Sequence, residues 1–298
     1  MKLSILTATF NRGEFLKRLY ESILTNINSG IEVEWLIMDD GSKDDTENII
    51  SKIRGENRIY IKYLKQVNQG KMAAINHLMN YVTGDLVIEC DSDDYFSEDA
   101  FLYIKNAYEE SQFERDLYGL CFLKYDQKGQ NIGEEFKNEK TTMFDLYFKE
   151  MEDGEKAIVF FADKRKEYKY ELEDHENFVT EARMYHKMDL KYKIKCYNEP
   201  VMVCEYQKDG YSKNIQKQFK RNPKGYFKYF QEILVEHDMV GVPFKKRLYV
   251  IKHYILFATL TKRKDLLKDV KGLLNKILIV VLFVPGFLMT KKKFRKIK

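Results

Sequence analysis

Asp91, Asp93 and Asp94 place three carboxylates within four residues, directly after the apolar run Leu86-Val87-Ile88. If that run is a strand, alternate side chains share a face, and Asp91 and Asp93 point the same way about 7 Å apart. Such a cluster is costly unless something positive sits beside it. Hard oxygen ligands suit Mg²⁺ or Mn²⁺, usually bound together with substrate phosphates. The competing reading is an acidic turn that caps the following helix.

The elements around this cluster decide between the two. Lys2 to Ala8 reads as a first strand, and the spacing of Phe15, Leu16, Leu19, Ile23 and Leu24 predicts a helix over 13–26. Val33 to Met38 is a second strand ending in Asp39-Asp40-Gly41-Ser42, followed by a helix over 44–53 and a third strand over 59–64. Asn68-Gln69-Gly70-Lys71 opens a helix through Val82, and Gly84 precedes the strand that carries the carboxylates. Strands alternating with helices imply a mainly parallel sheet covered on both faces, with ligands at the carboxyl ends of the strands. Thr9-Phe10-Asn11-Arg12, Asp39-Asp40-Gly41 and Asp91-Ser92-Asp93-Asp94 all fall at those ends. Neither GxGxxG after the first strand nor GxxxxGK[ST] is present, so no glycine cradle holds phosphate here. A divalent ion at Asp91 and Asp93, with Lys71 or Arg12 nearby, would serve instead.

With these motifs in order, the sequence resembles the family 2 glycosyltransferases. The resemblance rests on Ser4 through Arg12, on Asp39-Asp40-Gly41-Ser42-Lys43-Asp44, on Asn68-Gln69-Gly70-Lys71 with Ala73, Ala74 and Asn76, and on Gly84-Asp85 leading into Asp91-Ser92-Asp93-Asp94. It implies the GT-A fold, an α/β, Rossmann-like, mainly parallel sheet flanked by helices, and a nucleotide-sugar donor bound across the strand ends. Thr9, Phe10, Asn11, Arg12, Asp40, Lys71 and Asp91 would then contact the nucleotide. Phe10 would stack on the base, Asp40 would accept a uracil N3–H, and Asp39 would support the turn before Gly41. The resemblance makes Asp93 the first metal ligand, with Asp91 on metal or ribose and Asp94 supporting them.

An inverting transferase also needs a carboxylate to take the acceptor hydroxyl's proton. Many family members carry it in a Glu-Asp pair at a helix start; here Thr180-Glu181 stands in that place, so Glu181 is the candidate, with Asp174 and Glu176 as alternatives. A carboxylate there also suits a helix N-terminus for purely electrostatic reasons. His175 and His186 are isolated and receive no role.

Charge is distributed unevenly. Residues 241–298 hold 16 Lys and Arg against two acids, whereas the preceding 240 hold 35 basic and 44 acidic residues. An acidic body with a basic end points to an anionic partner for that end. The apolar run Ile277 to Met289, interrupted by Pro285-Gly286 and followed by Lys291-Lys292-Lys293, favours an anionic membrane surface over nucleic acid. As a helix its 13 residues would span about 20 Å, short of a roughly 30 Å hydrocarbon core, which predicts an interfacial or re-entrant segment. The expected division is a transferase domain over 1–212 and a basic, apolar helical region over 213–298. Cys90, Cys121, Cys196 and Cys204 lack CxxC spacing and read as reduced core residues. With no signal-like N-terminus, the expectation is a cytoplasmic enzyme, peripheral on the inner face of the cell membrane, with a glycan or lipid-linked acceptor. A synthase acting on polyprenyl phosphate and an inactive nucleotide-binding membrane module are the rival readings.

Overall fold

The computed structural model describes residues 1–205 and 215–295. The expected boundary at Ser212 and the terminal Lys296 to Lys298 lie outside the described residues. Contacts divide the chain into two compact units: one formed by Met1–Met143, Glu152–Tyr170 and Lys191–Gln207, the other by Phe144–Met151, Glu171–Leu190 and Lys208–Lys298. Glu181 thus belongs to the same unit as the C-terminal helices.

The first unit is built on one sheet. Its strands are β1 (Lys2–Thr9), β2 (Glu32–Asp39), β3 (Tyr60–Lys65), β4 (Leu86–Glu89), β5 (Tyr95–Phe96), β6 (Leu117–Tyr125), β7 (Lys140–Thr141), β8 (Lys156–Phe161) and β9 (Lys193–Val203). Their order is β3-β2-β1-β4-β8-β6-β9-β5, with β7 paired to β9. The first four strands are parallel throughout, as their alternation with helices requires. Beyond β4 the sheet becomes mixed, because β8 enters antiparallel between β4 and β6 while β9 runs parallel to β6.

Helices α1 (Gly13–Asn26), α2 (Thr46–Gly55) and α4 (Ala100–Ser111) close one core with the sheet, and α3 (Lys71–Leu78) lies between α2 and α4 in the chain. Leu3, Ile5, Trp35, Ile37 and Ile88 share that core with Leu19 and Ile23 of α1, Ile50 of α2 and Phe101 of α4. Period-2 alternation on the strands and period-3.6 spacing on the helices bring these residues to one layer. Trp35 stacks at 6.3 Å on Tyr20 and donates its indole N–H to Thr7 Oγ1 at 3.0 Å.

At the amino ends of the strands the buried Glu34 accepts from Ser4 Oγ at 2.6 Å, Thr83 Oγ1 at 2.6 Å and Thr83 N at 2.8 Å, and pairs with Lys2 at 3.0 Å. Gly84 is required there, since a Cβ would lie 2.6 Å from Ser4 Oγ and 2.7 Å from the Lys2 carbonyl. The network ties β1, β2 and the approach to β4 together, so the opposite ends of those strands are held in register.

The second unit is helical, with α5 (Met143–Phe148) reaching into it, α6 (Ala162–Lys166) in the first unit, and then α7 (Glu181–Asp189), α8 (Ile215–Arg221), α9 (Pro223–Glu236), α10 (Phe244–Leu260) and α11 (Leu273–Arg295). Aromatic rings make its core: Tyr226 stacks on Phe257 at 5.0 Å and Phe227 on Tyr254 at 5.4 Å. His186 is buried among Phe144, Phe148, Tyr229 and His237, and neither of its ring nitrogens has a hydrogen-bond partner among the described residues. Helix α11 runs unbroken through Pro285 and is longer than the 13-residue apolar run suggests. A stretch from Leu273 to Lys292 has mean hydropathy 2.1 and is long and apolar enough to cross a membrane, which corrects the length expected from sequence. Gly286 allows its approach to α10, where a Cβ would meet Ile255 Cγ2 at 2.9 Å.

Candidate functional site

The carboxyl ends of β1, β2 and β4 converge because the ladder continues past each strand: Asp40 N donates to the Thr9 carbonyl at 2.8 Å and Cys90 N to the Leu6 carbonyl at 3.0 Å. The segment after β1 leaves the sheet at Asn11, whose φ of 52° lies in the left-handed region that Asn tolerates. Asn11 receives Lys43 N on its side chain at 2.7 Å and donates its own N–H to Ser42 Oγ at 2.9 Å. It thereby clips the first loop to the second. Phe10 stands on this loop with 44% of its surface exposed, as a stacking platform would and a core aromatic would not. Thr9 is buried, and its hydroxyl has no hydrogen-bond partner among the described residues.

The two aspartates after β2 turn in different directions. Asp39 accepts from Ser42 N and from the Tyr63 hydroxyl, both at 2.6 Å, which fixes the turn and, together with burial, pushes the Tyr63 phenol up. Asp40 accepts from Gln66 Nε2 at 2.9 Å and from Gln69 N and Gly70 N at 2.8 Å. A carboxylate has about four acceptor positions, and these three donors leave one on Oδ2 for the base N–H that the resemblance implies.

The acidic turn closes through Asp94 N donating to the Asp91 carbonyl at 3.0 Å. Each carboxylate meets a cation from a different part of the chain. Asp91 pairs with Lys71, the first residue of α3, at 2.6 Å; Asp93 pairs with Arg12 at 2.5 Å; Asp94 meets Lys124 of β6 at 3.4 Å. Arg12, Lys71, Asp91 and Asp93, singled out separately in the sequence, are thus brought together. Exposure falls along the turn, from 47% for the Asp91 side chain to 13% for Asp93 and 9% for Asp94. Burial opposes ionisation of Asp91, but the Lys71 ammonium holds its carboxyl below the usual range. Burial pushes Asp93 up against the pull of Arg12. It pushes Asp94 up to about 6, with Lys124 opposing and the other two carboxylates adding to the rise.

Several supporting residues carry no local sequence signal. Arg18 donates to the Asp93 carbonyl at 2.8 Å, pairs with Glu205 and lies 4.4 Å over the Tyr95 ring. Cys204 Sγ and Glu205 N both reach Asp94, at 3.3 Å. Lys124 had one available sign: a lone lysine within the otherwise apolar strand Leu117–Tyr125. Asn76 exchanges two hydrogen bonds with the Tyr170 backbone, at 2.8 and 2.9 Å, and so anchors the chain after α6. Tyr170 in turn donates to Glu89, which also pairs with the buried Arg165 at 2.9 Å.

Among the described residues no three His, Cys, Asp or Glu side chains form a metal cage. The donor set nonetheless fits Mg²⁺ or Mn²⁺, which are commonly held by one or two carboxylates completed by water and substrate phosphate. Asp91 and Asp93 supply such a pair.

A family model described as Glycosyl transferase family 2 matches residues 4–168, more than half of the chain, from within β1 through α6. The chain belongs to the family 2 glycosyltransferases. Among its relatives is an uncharacterized glycosyltransferase of Mycoplasma genitalium, 31% identical over 130 residues that make up 42% of this chain and 44% of that one. Another is glycosyltransferase GlyA of Streptococcus pneumoniae, 29% identical over 117 residues, 39% of this chain and 16% of that one. The chain covers less than half the length of these curated relatives. Solved structures with the same fold include S. aureus TarS 1-349 in complex with UDP-GlcNAc, 15% identical with a TM-score of 0.61 over 99% of this chain and 92% of that one. A mannosyltransferase of Pyrobaculum calidifontis in complex with GDP-Man and Mn²⁺ is 14% identical, with a TM-score of 0.57 over 99% of this chain and 87% of that one. This family 2 glycosyltransferase therefore has the GT-A-like α/β fold that its motifs imply.

In the second unit, the carboxylates near α7 have distinct employments. Glu176 accepts from Lys224 N at 2.7 Å and Gly225 N at 2.8 Å, capping the first turn of α9. Asp174 offers its backbone carbonyl to Lys224 Nζ at 3.2 Å. Glu171, Glu173 and Glu232 surround the buried Arg183, with Glu232 gripping its guanidinium at 2.7 and 2.8 Å. Glu181 is the first residue of α7, and its charge adds to burial in raising the Tyr226 phenol.

Proposed function

We propose that this chain is an inverting glycosyltransferase that moves a sugar from a UDP-sugar donor to a hydroxyl of a glycan or lipid-linked oligosaccharide. The observation that carries this reading is the convergence of Arg12, Lys71, Asp91 and Asp93 at the strand ends, beside the exposed Phe10 ring. Two cations and two carboxylates at one place suit a diphosphate accompanied by a divalent ion. The TarS structures bound to UDP-GlcNAc and UDP support the choice of a uridine nucleotide.

In this reading Phe10 stacks on the base, a contact worth about 1–3 kcal/mol in other base-binding sites. Thr9, Asn11, Asp40 and Asp91 line the nucleoside, and Arg12 and Lys71 face the diphosphate. Asp93, with Asp91, would hold Mg²⁺ or Mn²⁺. When bound, that ion supplies Lewis-acid stabilisation of charge on the leaving diphosphate. Glu181 takes the proton from the acceptor hydroxyl as its oxygen attacks the anomeric carbon, while the bond to the diphosphate breaks on the opposite face. Glu176 is less suited to that task, since both its oxygens already accept backbone N–H groups.

Helix α11 is the contact with the membrane in this proposal. Leu273, Ile277, Val281, Val284 and Leu288 form an exposed apolar stripe at helical spacing, and Lys276, Lys291 and Lys292 are exposed beside it. With α10 packed along part of α11, including Ile255 against Gly286, the helix lies in the interface of an anionic cytoplasmic leaflet rather than across it. Calorimetric titration with a panel of UDP-, GDP- and dTDP-sugars, with and without Mn²⁺, tests the donor assignment. Tight binding of a UDP-sugar that needs Mn²⁺ is expected; binding of none, or binding of another nucleotide alone, overturns it.

A further inference from the structure

The proposed site has one half-exposed carboxylate, Asp91, and two buried ones, Asp93 and Asp94. Asp94 is held by three groups from outside the turn. Lys124 Nζ stands 3.4 Å from Oδ2, Cys204 Sγ 3.3 Å from Oδ2 and Glu205 N 3.3 Å from Oδ1. Behind them, Glu155 lies 3.8 Å from Lys124 and 3.5 Å from Cys204 Sγ. Cys204 is itself tethered by its N–H to the Tyr125 carbonyl at 2.8 Å, next to Lys124 on β6. The strand β6 lies two positions from β4 in the sheet, with β8 between them, so Lys124 reaches the turn from a strand other than the one that carries it.

We propose that Lys124 is a positioning residue for the donor site: its ammonium, fixed on β6, pins Asp94 and through the turn sets the separation and direction of Asp91 and Asp93. This rests on the reading of Asp91 and Asp93 as the ligands of the donor's divalent ion. The turn is short and internally bonded, from Asp94 N to the Asp91 carbonyl at 3.0 Å, so a shift at Asp94 passes directly to the other two. Arg12 and Lys71 cannot replace this anchor, since they pair with the outer carboxylates themselves. Removing the ammonium leaves the buried Asp94 without its cation, so the carboxyl takes up a proton or turns toward water, and either way the link that fixes the turn to β6 is lost. Groups that orient ligands from behind typically change metal affinity by about 10–100-fold when removed.

The test uses the full chain as Lys124→Met, Lys124→Arg and Cys204→Ala. Mn²⁺ binding in the presence of UDP is followed by loss of the free-ion signal in electron paramagnetic resonance, with circular dichroism reporting the fold. Lys124→Met is expected to weaken Mn²⁺ binding by about 10–100-fold, with Lys124→Arg recovering most of the loss. Cys204→Ala, which keeps the cation and removes one contact to Asp94, is expected to give a smaller loss in the same direction, and Lys124→Gln carries the test if Lys124→Met does not fold. Wild-type Mn²⁺ affinity in Lys124→Met, or in Lys124→Gln where that variant carries the test, overturns the proposal, as does an Arg variant no better than the variant that lacks the charge. If the wild-type chain with UDP binds no Mn²⁺, the reading of Asp91 and Asp93 as ligands fails first and takes this role with it.

Discussion

The carboxylate of Asp40 and the backbone N–H of Gly70 lie 2.8 Å apart, joining the end of β2 to the start of α3 across thirty residues. The same carboxylate holds Gln69 N and Gln66 Nε2, so one side chain sets the loop that delivers Lys71 to Asp91. Asp40→Asn would turn an amide donor toward one of these N–H groups. An unsatisfied buried pair of this kind costs about 1–3 kcal/mol. A lowered urea midpoint together with weaker UDP binding is expected, and wild-type values of both would show that the loop is held by other means.

Asp93→Asn keeps the shape of the turn and removes the charge proposed to hold the ion. Sugar transfer is expected to fall below detection, with an unchanged circular dichroism spectrum. Full activity in the variant, or wild-type activity undiminished in excess chelator, would remove the metal from the mechanism.

Glu181→Gln is expected to lower turnover by about 10²–10⁴-fold while leaving donor affinity as it was, read as kcat against donor Kd. An unchanged rate moves the base elsewhere. Retained transfer to polyprenyl phosphate in the same variant would favour an acceptor that arrives already ionised.

Two buried histidines make the second unit sensitive to acid. Burial holds His237 down at about 4 and His186 well below its ordinary value; Asp145 favours the charged form of His237, while Lys271 and Lys149 oppose it. Both folded values lie under the unfolded value of about 6.5, so below that pH the unfolded chain binds protons that the folded chain refuses. Their contribution is therefore intact above about pH 6.5 and is lost progressively as pH falls toward 4, by about 1.4 kcal/mol per pH unit for each such group. Urea unfolding between pH 7 and 4.5 checks the slope, and His186→Phe should flatten it.

Replacing Val281, Val284 and Leu288 together by Glu interrupts the exposed stripe of α11 without touching its buried Asn275, Ile279 or Thr290. Co-sedimentation with vesicles containing anionic lipid is expected to be lost, with UDP-sugar binding unchanged. Vesicle binding equal to wild type would sink the membrane assignment, and a change from dimer to monomer instead would assign the stripe to a second copy of the chain.

Much of the first unit could be read from sequence because its signals are local. The helix over 13–26 and the strand over 33–38 fall where their apolar spacing puts them. By contrast the first half of β9 is masked by Asn198-Glu199-Pro200 at its middle, where the register against β6 jumps from Tyr197 opposite Phe122 to Pro200 opposite Leu123. Proline suits such a bulge, yet in sequence it resembles a turn. The antiparallel entry of β8 is set by partners distant in the chain, which periodicity cannot reveal. The same holds for the site. Asp91, Asp93, Arg12 and Lys71 announce themselves by motif, whereas Lys124, Arg18 and Cys204 matter only through residues they meet in space. Helix α11 was underestimated because Pro285-Gly286 reads as a break, while close packing at Ile255 makes the glycine useful and the helix continuous.

The partners of Asp94 also bear on how the protein acquires activity. Its contacts reach thirty residues forward to Lys124 and 110 and 111 residues forward to Cys204 and Glu205. Contacts so far apart in the chain form late, after the loops between them have closed. A nascent chain that has completed β1 to β4 can thus own every recognisable donor motif and still lack the strut beneath them. On the proposed reading the support beneath the donor site is complete only when β9 docks beside β6, so a fragment cut at the end of the family match, residue 168, would keep Lys124 but lack the contacts that Cys204 and Glu205 add.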